Sequence, residues 1–210
     1  MSDSKKLILG SYFSSPVYCI ELPEYLKDLN KISDKYIKKV YKEEKTKKYT
    51  VSYHSESMIN DKKIHNFKSY VGQTAVNILD YQGYDMSNHE LFFTEMWVQE
   101  FSKKVGGHHK THVHGNNHIS GFYFLKCSEN TSMPVFHDPR PGKAMTYLPE
   151  KNKKEVTLAS KEINFKVKPG TLIFFNSYLP HQFPLDYGID PFRFIHFNLQ
   201  AVSKTILNNL

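Results

Sequence analysis

The chain has almost no cysteine and almost no arginine. Its two cysteines, Cys19 and Cys127, form no C-x-x-C pair. A disulfide framework and a zinc ribbon are thereby excluded, and a reducing compartment such as the cytoplasm is expected. No apolar run approaches the roughly 20 residues that a membrane helix needs. Near the N-terminus "LIL" is broken by Gly10 and Ser11 and is too short for a secretory core. A soluble, mature sequence is expected. Internal repeats and low-complexity segments are also absent, and 210 residues hold one full core but are short for two. We therefore expect one domain over 1–210, with a strand and helices in 1–88 and a β core in 89–203.

The shortage of arginine is relative: 28 basic residues face 21 acidic ones, and only Arg140 and Arg193 are arginines. Where lysine dominates so heavily, an arginine marks a place that needs a rigid bidentate fork. The net charge of +7 is concentrated in residues 31–68, where eleven lysines meet five acids. Such a face attracts nucleic acid or an acidic protein, but it equally serves solubility. No stacking aromatics are interleaved as single-strand readers require, so nucleic acid is not the favoured partner.

Residues 16–21, "PVYCIE", read as a strand. Tyr25, Leu26, Leu29, Ile32, Tyr36, Ile37, Val40 and Tyr41 then recur at helical spacing, and a second helix runs from Phe67 to near Gly83. From Leu91 the texture changes to short β-prone runs, including "LFFTEMWVQEF", "HISGFYFLK", "MPVFH", "EVTL", "EINFKVK", "GTLIFF" and "FRFIHFNLQ". Lys168-Pro169-Gly170 suits a type II turn. The polar, lysine-rich stretch 141–161 suits an exposed hairpin or flap. The expected class is mainly β with flanking α, a sandwich or barrel with the N-terminal helices packed on one face.

Histidine is what the chain has in excess locally: five of its eleven lie between His108 and His118. In an extended "KTHVHG", His112 and His114 project from one face, because side chains alternate with period two. A facial metal site needs a third ligand, and His181 in "NSYLPHQF" stands at the rim of an apolar strand. Twelve residues on, Arg193 shares a parity with Ile195, Phe197 and Leu199, so it is expected to point inward and meet an anion. A buried salt bridge to Asp or Glu is the plain alternative.

H-x-H, a long gap, a rim histidine and an arginine on the next strand resemble the 2-oxoglutarate and iron(II) dependent oxygenases. The blocks "GHHKTHVHGNNHISGFYFLK", "VFHDPRP", "KPGTLIFFNSYLPHQ" and "FRFIHFNLQ", with "FSSPVYCIEL" at the start, are similar to an oxygenase family of bacteria and their phages. The resemblance implies a double-stranded β-helix, the cupin-like jelly roll, in the β core. It implies His112, His114 and His181 as catalytic ligands of Fe(II), with Arg193 on the far carboxylate of 2-oxoglutarate and Tyr123 supporting it. Arg140, the 141–161 flap and His118 would meet the substrate.

Histidine at position 114 replaces the usual carboxylate, with Asp138 in reserve; Asp138 also reads as a turn cap before Pro139. His108 and His109 read as loop residues near the metal, and His54, His65 and His89 as surface residues. The implied reaction is hydroxylation of a peptide or small molecule by O2, with release of succinate and CO2. Two other readings stand beside it. One is a three-histidine dioxygenase or cupin-like binding module without 2-oxoglutarate, and the other is an AlkB-type nucleic-acid demethylase.

Overall fold

The computed structural model describes residues 12–44, 50–103, 106–128, 130–145 and 148–208. The expectations for residues 1–11 lie outside them. Strand β1 (Val17–Glu21) is followed by α1 (Leu26–Glu43), β2 (Ser52–His54) and α2 (His65–Tyr81). Then come β3 (His89–Phe101), β4 (His109–His112), β5 (Ile119–Lys126), β6 (Val135–His137) and the short α3 (Pro141–Met145). The chain continues through β7 (Glu162–Asn164), β8 (Thr171–Asn176), β9 (His181–Phe183), β10 (Arg193–Ser203) and α4 (Lys204–Leu207). No helix among the described residues is long and apolar enough to cross a membrane.

Two antiparallel sheets form, with strand orders β1-β8-β5-β10-β3-β2 and β4-β9-β6-β7. The apolar stripe that predicted α1 is the stripe it buries: Leu29, Ile32, Ile37 and Val40. α2 buries Phe67, Val71, Ala75, Ile78 and Leu79. Both helices cover the outer face of the larger sheet, packing on Met96, Val98, Tyr123, Leu172, Phe174, Ile195, Phe197 and Leu199. Each fully buried side chain of this size stabilises the fold by about 1.5–3 kcal/mol. The inner face belongs to a second cluster, built from Phe101, Phe122, Phe124, Phe136, Phe175, Phe183, Phe192 and Phe194 between the sheets. This is the jelly roll with helices on one face.

Two details differ from the sequence reading. "EVTL" is exposed loop, and β7 spans only three residues of "EINFKVK". The described parts of segment 141–161 (141–145 and 148–161) are α3 and loop, tied down where Lys143 Nζ donates to the carbonyls of Leu158 and Ser160 at 2.8 and 2.7 Å. The turn at 168–170 forms as expected, with Gly170 at φ 93° and Thr171 N donating to Lys168 O.

Candidate metal centre

β4 and β9 pair antiparallel with His112 opposite His181. Beyond the end of β4 the chain stays beside the other strands, since His114 N donates to Ser177 O at 2.9 Å. The three rings thus meet: their centroids lie 4.4 Å apart for His112–His181, 5.0 Å for His112–His114 and 5.1 Å for His114–His181. One nitrogen from each lies within 4.8 Å of the other two.

The other nitrogens are already engaged. His112 Nδ1 is 2.7 Å from Lys110 O, His181 Nδ1 is 3.0 Å from Leu179 O, and His114 Nδ1 is 3.2 Å from the Asn198 side-chain amide. Nε2 of His114 and of His181 is buried with no partner. An orphaned buried nitrogen costs about 1–3 kcal/mol, and backbone carbonyls on the opposite nitrogens are the arrangement that fixes a ligating imidazole. The donor set suits a borderline divalent ion such as Fe(II) or Zn(II).

Burial, with smaller contributions from neighbouring imidazoles, drives the histidines toward neutrality. His181 is pushed down to about 3, and His114 and His109 to about 4. Neutral imidazole is the form that binds metal. Aromatic rings close the inner side, with Phe175, Phe122 and Phe136 at 4.6, 5.7 and 6.0 Å from the His181 ring. The outer side opens through a mouth of about 380 Å³ lined by His108, His109, Lys110 and His112.

The inner face also carries residues that the sequence reading passed over. In the ladder β10–β3, His196 is opposite Trp97 and Asn198 opposite Glu95. His196 is 3% exposed, its ring 4.8 Å from that of His114. His54 is exposed, as expected, and its ring stacks on His109 at 5.7 Å, while Gln99 Nε2 contacts His109 Nε2. Parity was the available signal: Phe194, His196 and Asn198 alternate with the apolar set, and it is their face that looks between the sheets.

Arg193 and Tyr123 are consequently not at the centre. Arg193 shares the outer face with Ile195 and Phe197. Its Nε donates to Glu100 at 2.5 Å and its Nη1 to Asp34 at 2.5 Å and Ser33 Oγ at 3.0 Å. In this structure Arg193 makes a buried ion pair with Glu100. Tyr123 packs against Phe67 of α2 and donates its hydroxyl to Leu22 O at 2.7 Å.

A bulge removes a second cation from the interior. Phe122 and Phe124 point inward, so strict alternation would aim Lys126 inward too. The pairing slips between Arg193 and Phe194, Leu125 is left over, and Lys126 emerges on the helix side, 3.2 Å from Asp34. Among the described residues Arg193 is the only lysine or arginine that is buried, and it faces the helices.

The remaining assignments resolve as structure. Asp138 caps its turn, accepting from Arg140 N at 3.0 Å, and its carboxylate is further held by the Arg140 guanidinium and by Lys143 at 3.0 Å. These bonds hold it well below the usual carboxylate range, and it is not among the grouped ligands. Arg140 lines a separate cleft of about 210 Å³ with Lys143 and Leu158. His118 Nδ1 accepts from Ala201 N at 3.0 Å, fastening β5 to β10 rather than facing the trio.

Comparison with known proteins bears on the fold. Residues 95–190 match the family model described as "Putative 2OG-Fe(II) oxygenase". Among curated proteins no sequence matches. Among solved structures, a prolyl-4-hydroxylase from Pseudomonas putida is similar with a TM-score of 0.59 at 9% identity, over 89% of this chain and 93% of that one. AviO1 from Streptomyces viridochromogenes Tue57 gives 0.60 at 11%, over 89% and 90%. The viral collagen prolyl hydroxylase vCPH of Paramecium Bursaria Chlorella virus-1 gives 0.56 at 11%, over 96% and 100%. At these identities the likeness is one of fold.

Proposed function

We propose that the protein is a non-haem iron oxygenase with His112, His114 and His181 as the ligands of Fe(II), a reading supported by the match of residues 95–190 to the 2OG-Fe(II) oxygenase family model. The observation that carries the reading is the convergence of three imidazoles, each with a nitrogen within 4.8 Å of the others, those of His114 and His181 having a buried Nε2 without a partner. Iron bound there supplies the oxygen-activating chemistry of the family, the oxidation of a substrate by O2. The resemblance to that family suggests 2-oxoglutarate as co-substrate, converted to succinate and CO2, and hydroxylation as the outcome.

The chain's own part is positional. Lys110 O and Leu179 O hold two of the imidazoles in orientation, the phenylalanine wall keeps water from the inner side, and the mouth at His108–His112 admits a peptide or small-molecule substrate. The residues present fit the metal. They fit 2-oxoglutarate less well: among the described residues the one buried cation, Arg193, is already paired with Glu100 and Asp34 on the helix side and is not free for a distal carboxylate. That same observation favours a second reading, a three-histidine oxygenase that engages its substrate without 2-oxoglutarate.

The test is an anaerobic Fe(II) titration of wild-type and His181→Asn protein, followed by 2-oxoglutarate. Tight iron binding lost in the variant supports the centre, and a visible charge-transfer band on adding 2-oxoglutarate selects the first reading over the second. Iron affinity that is the same in both proteins overturns the proposal.

A further inference from the structure

Glu95 projects from β3 onto the inner face beside Asn198, one register step from the Trp97–His196 pair. Among the described residues it is the carboxylate grouped with a histidine of the centre: Glu95, His114 and His196 bring one ligand atom each within 4.8 Å of one another. Nε2 of His196 is buried and has no hydrogen-bond partner. It lies 3.9 Å from Glu95 Oε2, too far for a hydrogen bond. Two donors bound to one ion at about 2.0–2.2 Å each stand roughly 3–4 Å apart, so the gap is the size that a divalent cation fills.

The carboxylate is also held in place. The Asn198 amide nitrogen donates to Glu95 and lies 3.2 Å from His114 Nδ1, while Asn198 Oδ1 accepts from Ser120 Oγ at 2.6 Å. Ser120 in turn bonds Ser177 at 2.8 Å. A donor group thus sits between Glu95 and His114 Nδ1, and an ion bound to both takes its place, turning the Asn198 amide aside.

We infer that Glu95, His114 and His196 form a second metal seat adjoining the three-histidine centre. The two seats share His114 and exclude each other, because a neutral imidazole has one lone-pair nitrogen to offer: Nε2 toward His112 and His181, Nδ1 toward Glu95 and His196. The oxygen donor makes this seat the better one for Mn(II), while the all-nitrogen seat is the better one for Fe(II), Ni(II) or Zn(II). The arrangement also lets the ion gain a formal negative ligand that the three-histidine centre lacks.

Metal affinity and stoichiometry test the seat without any assay of turnover. Apo-protein is titrated with Mn(II), followed by electron paramagnetic resonance, and with Ni(II), followed by calorimetry, in wild type, His181→Asn, Glu95→Gln, His196→Asn and the double variant His181→Asn/Glu95→Gln. The expected result is one ion per wild-type chain, one Mn(II) still bound by His181→Asn, and at least about a tenfold further loss when Glu95→Gln is added to it. Glu95→Gln and His196→Asn alone weaken Mn(II) more than Ni(II).

A His181→Asn protein that binds no metal overturns the second seat and leaves the three-histidine centre standing. Binding that survives His181→Asn unchanged but fails in Glu95→Gln removes the three-histidine centre and leaves the seat. Circular dichroism on each variant separates loss of a ligand from loss of the fold, and equal Mn(II) affinity in His181→Asn with and without Glu95→Gln refutes the inference outright.

Discussion

Replacing Arg193 by alanine separates two roles for the one buried arginine. As a ligand anchor its loss would weaken 2-oxoglutarate and spare the fold. As the structure has it, Arg193 neutralises Glu100, whose side chain is 3% exposed, and also bonds Asp34, whose side chain is 44% exposed. The exposed pair adds little, at most about 1 kcal/mol. Removing the guanidinium from Glu100 strands a buried carboxylate, held then among the described residues by the Tyr41 hydroxyl, which costs about 3–5 kcal/mol. For a chain of this length each kcal/mol moves the midpoint by about 2–4 °C, so Arg193→Ala is expected to melt some 6–20 °C lower. Arg193→Met combined with Glu100→Gln is expected to recover most of the loss, because no uncompensated charge remains. Calorimetric melting of the metal-loaded proteins measures this. An Arg193→Ala protein with an unchanged midpoint but an abolished response to 2-oxoglutarate would refute the placement of Arg193 on the helix face.

Two further outcomes follow from packing and from the buried imidazoles. Gly121 lies opposite Phe197, and a Cβ there would fall on the Phe197 ring and on Ile173 O; Gly121→Ala is expected to cost about 1–3 kcal/mol, read as a lower urea midpoint, and an unchanged midpoint contradicts the close approach of β5 and β10. In chelator-treated protein the lowered His181 and His196 make the unfolded state the better proton binder below its imidazole value of about 6.5. Stability is then complete above that pH and lost as pH falls through it, by about 1.4 kcal/mol per fully buried imidazole at pH 5.5. Urea titrations at pH 7.5 and 5.5 check it, and equal stabilities would mean that these rings are solvated.

The sequence by itself determined the two amphipathic helices, because their apolar spacing is a local property, and the change to β structure near residue 90. It also singled out His112, His114 and His181, since H-x-H in extended chain presents both rings on one side and His181 ends an apolar run. It could not choose which face of β10 looks into the barrel. β10 is covered by helices on one side and by the smaller sheet on the other, so both of its faces are buried, and an apolar parity marks a helix-packed face as readily as an interior one. Only the tertiary structure decided that Arg193 and Tyr123 turn toward the helices and that His196, Asn198 and Glu95 turn toward the metal centre. The bulge that carries Lys126 out of the interior is likewise a matter of strand pairing: one residue left over in β5 reverses the direction of the next side chain, and nothing in the local sequence records against which partner that residue is extra.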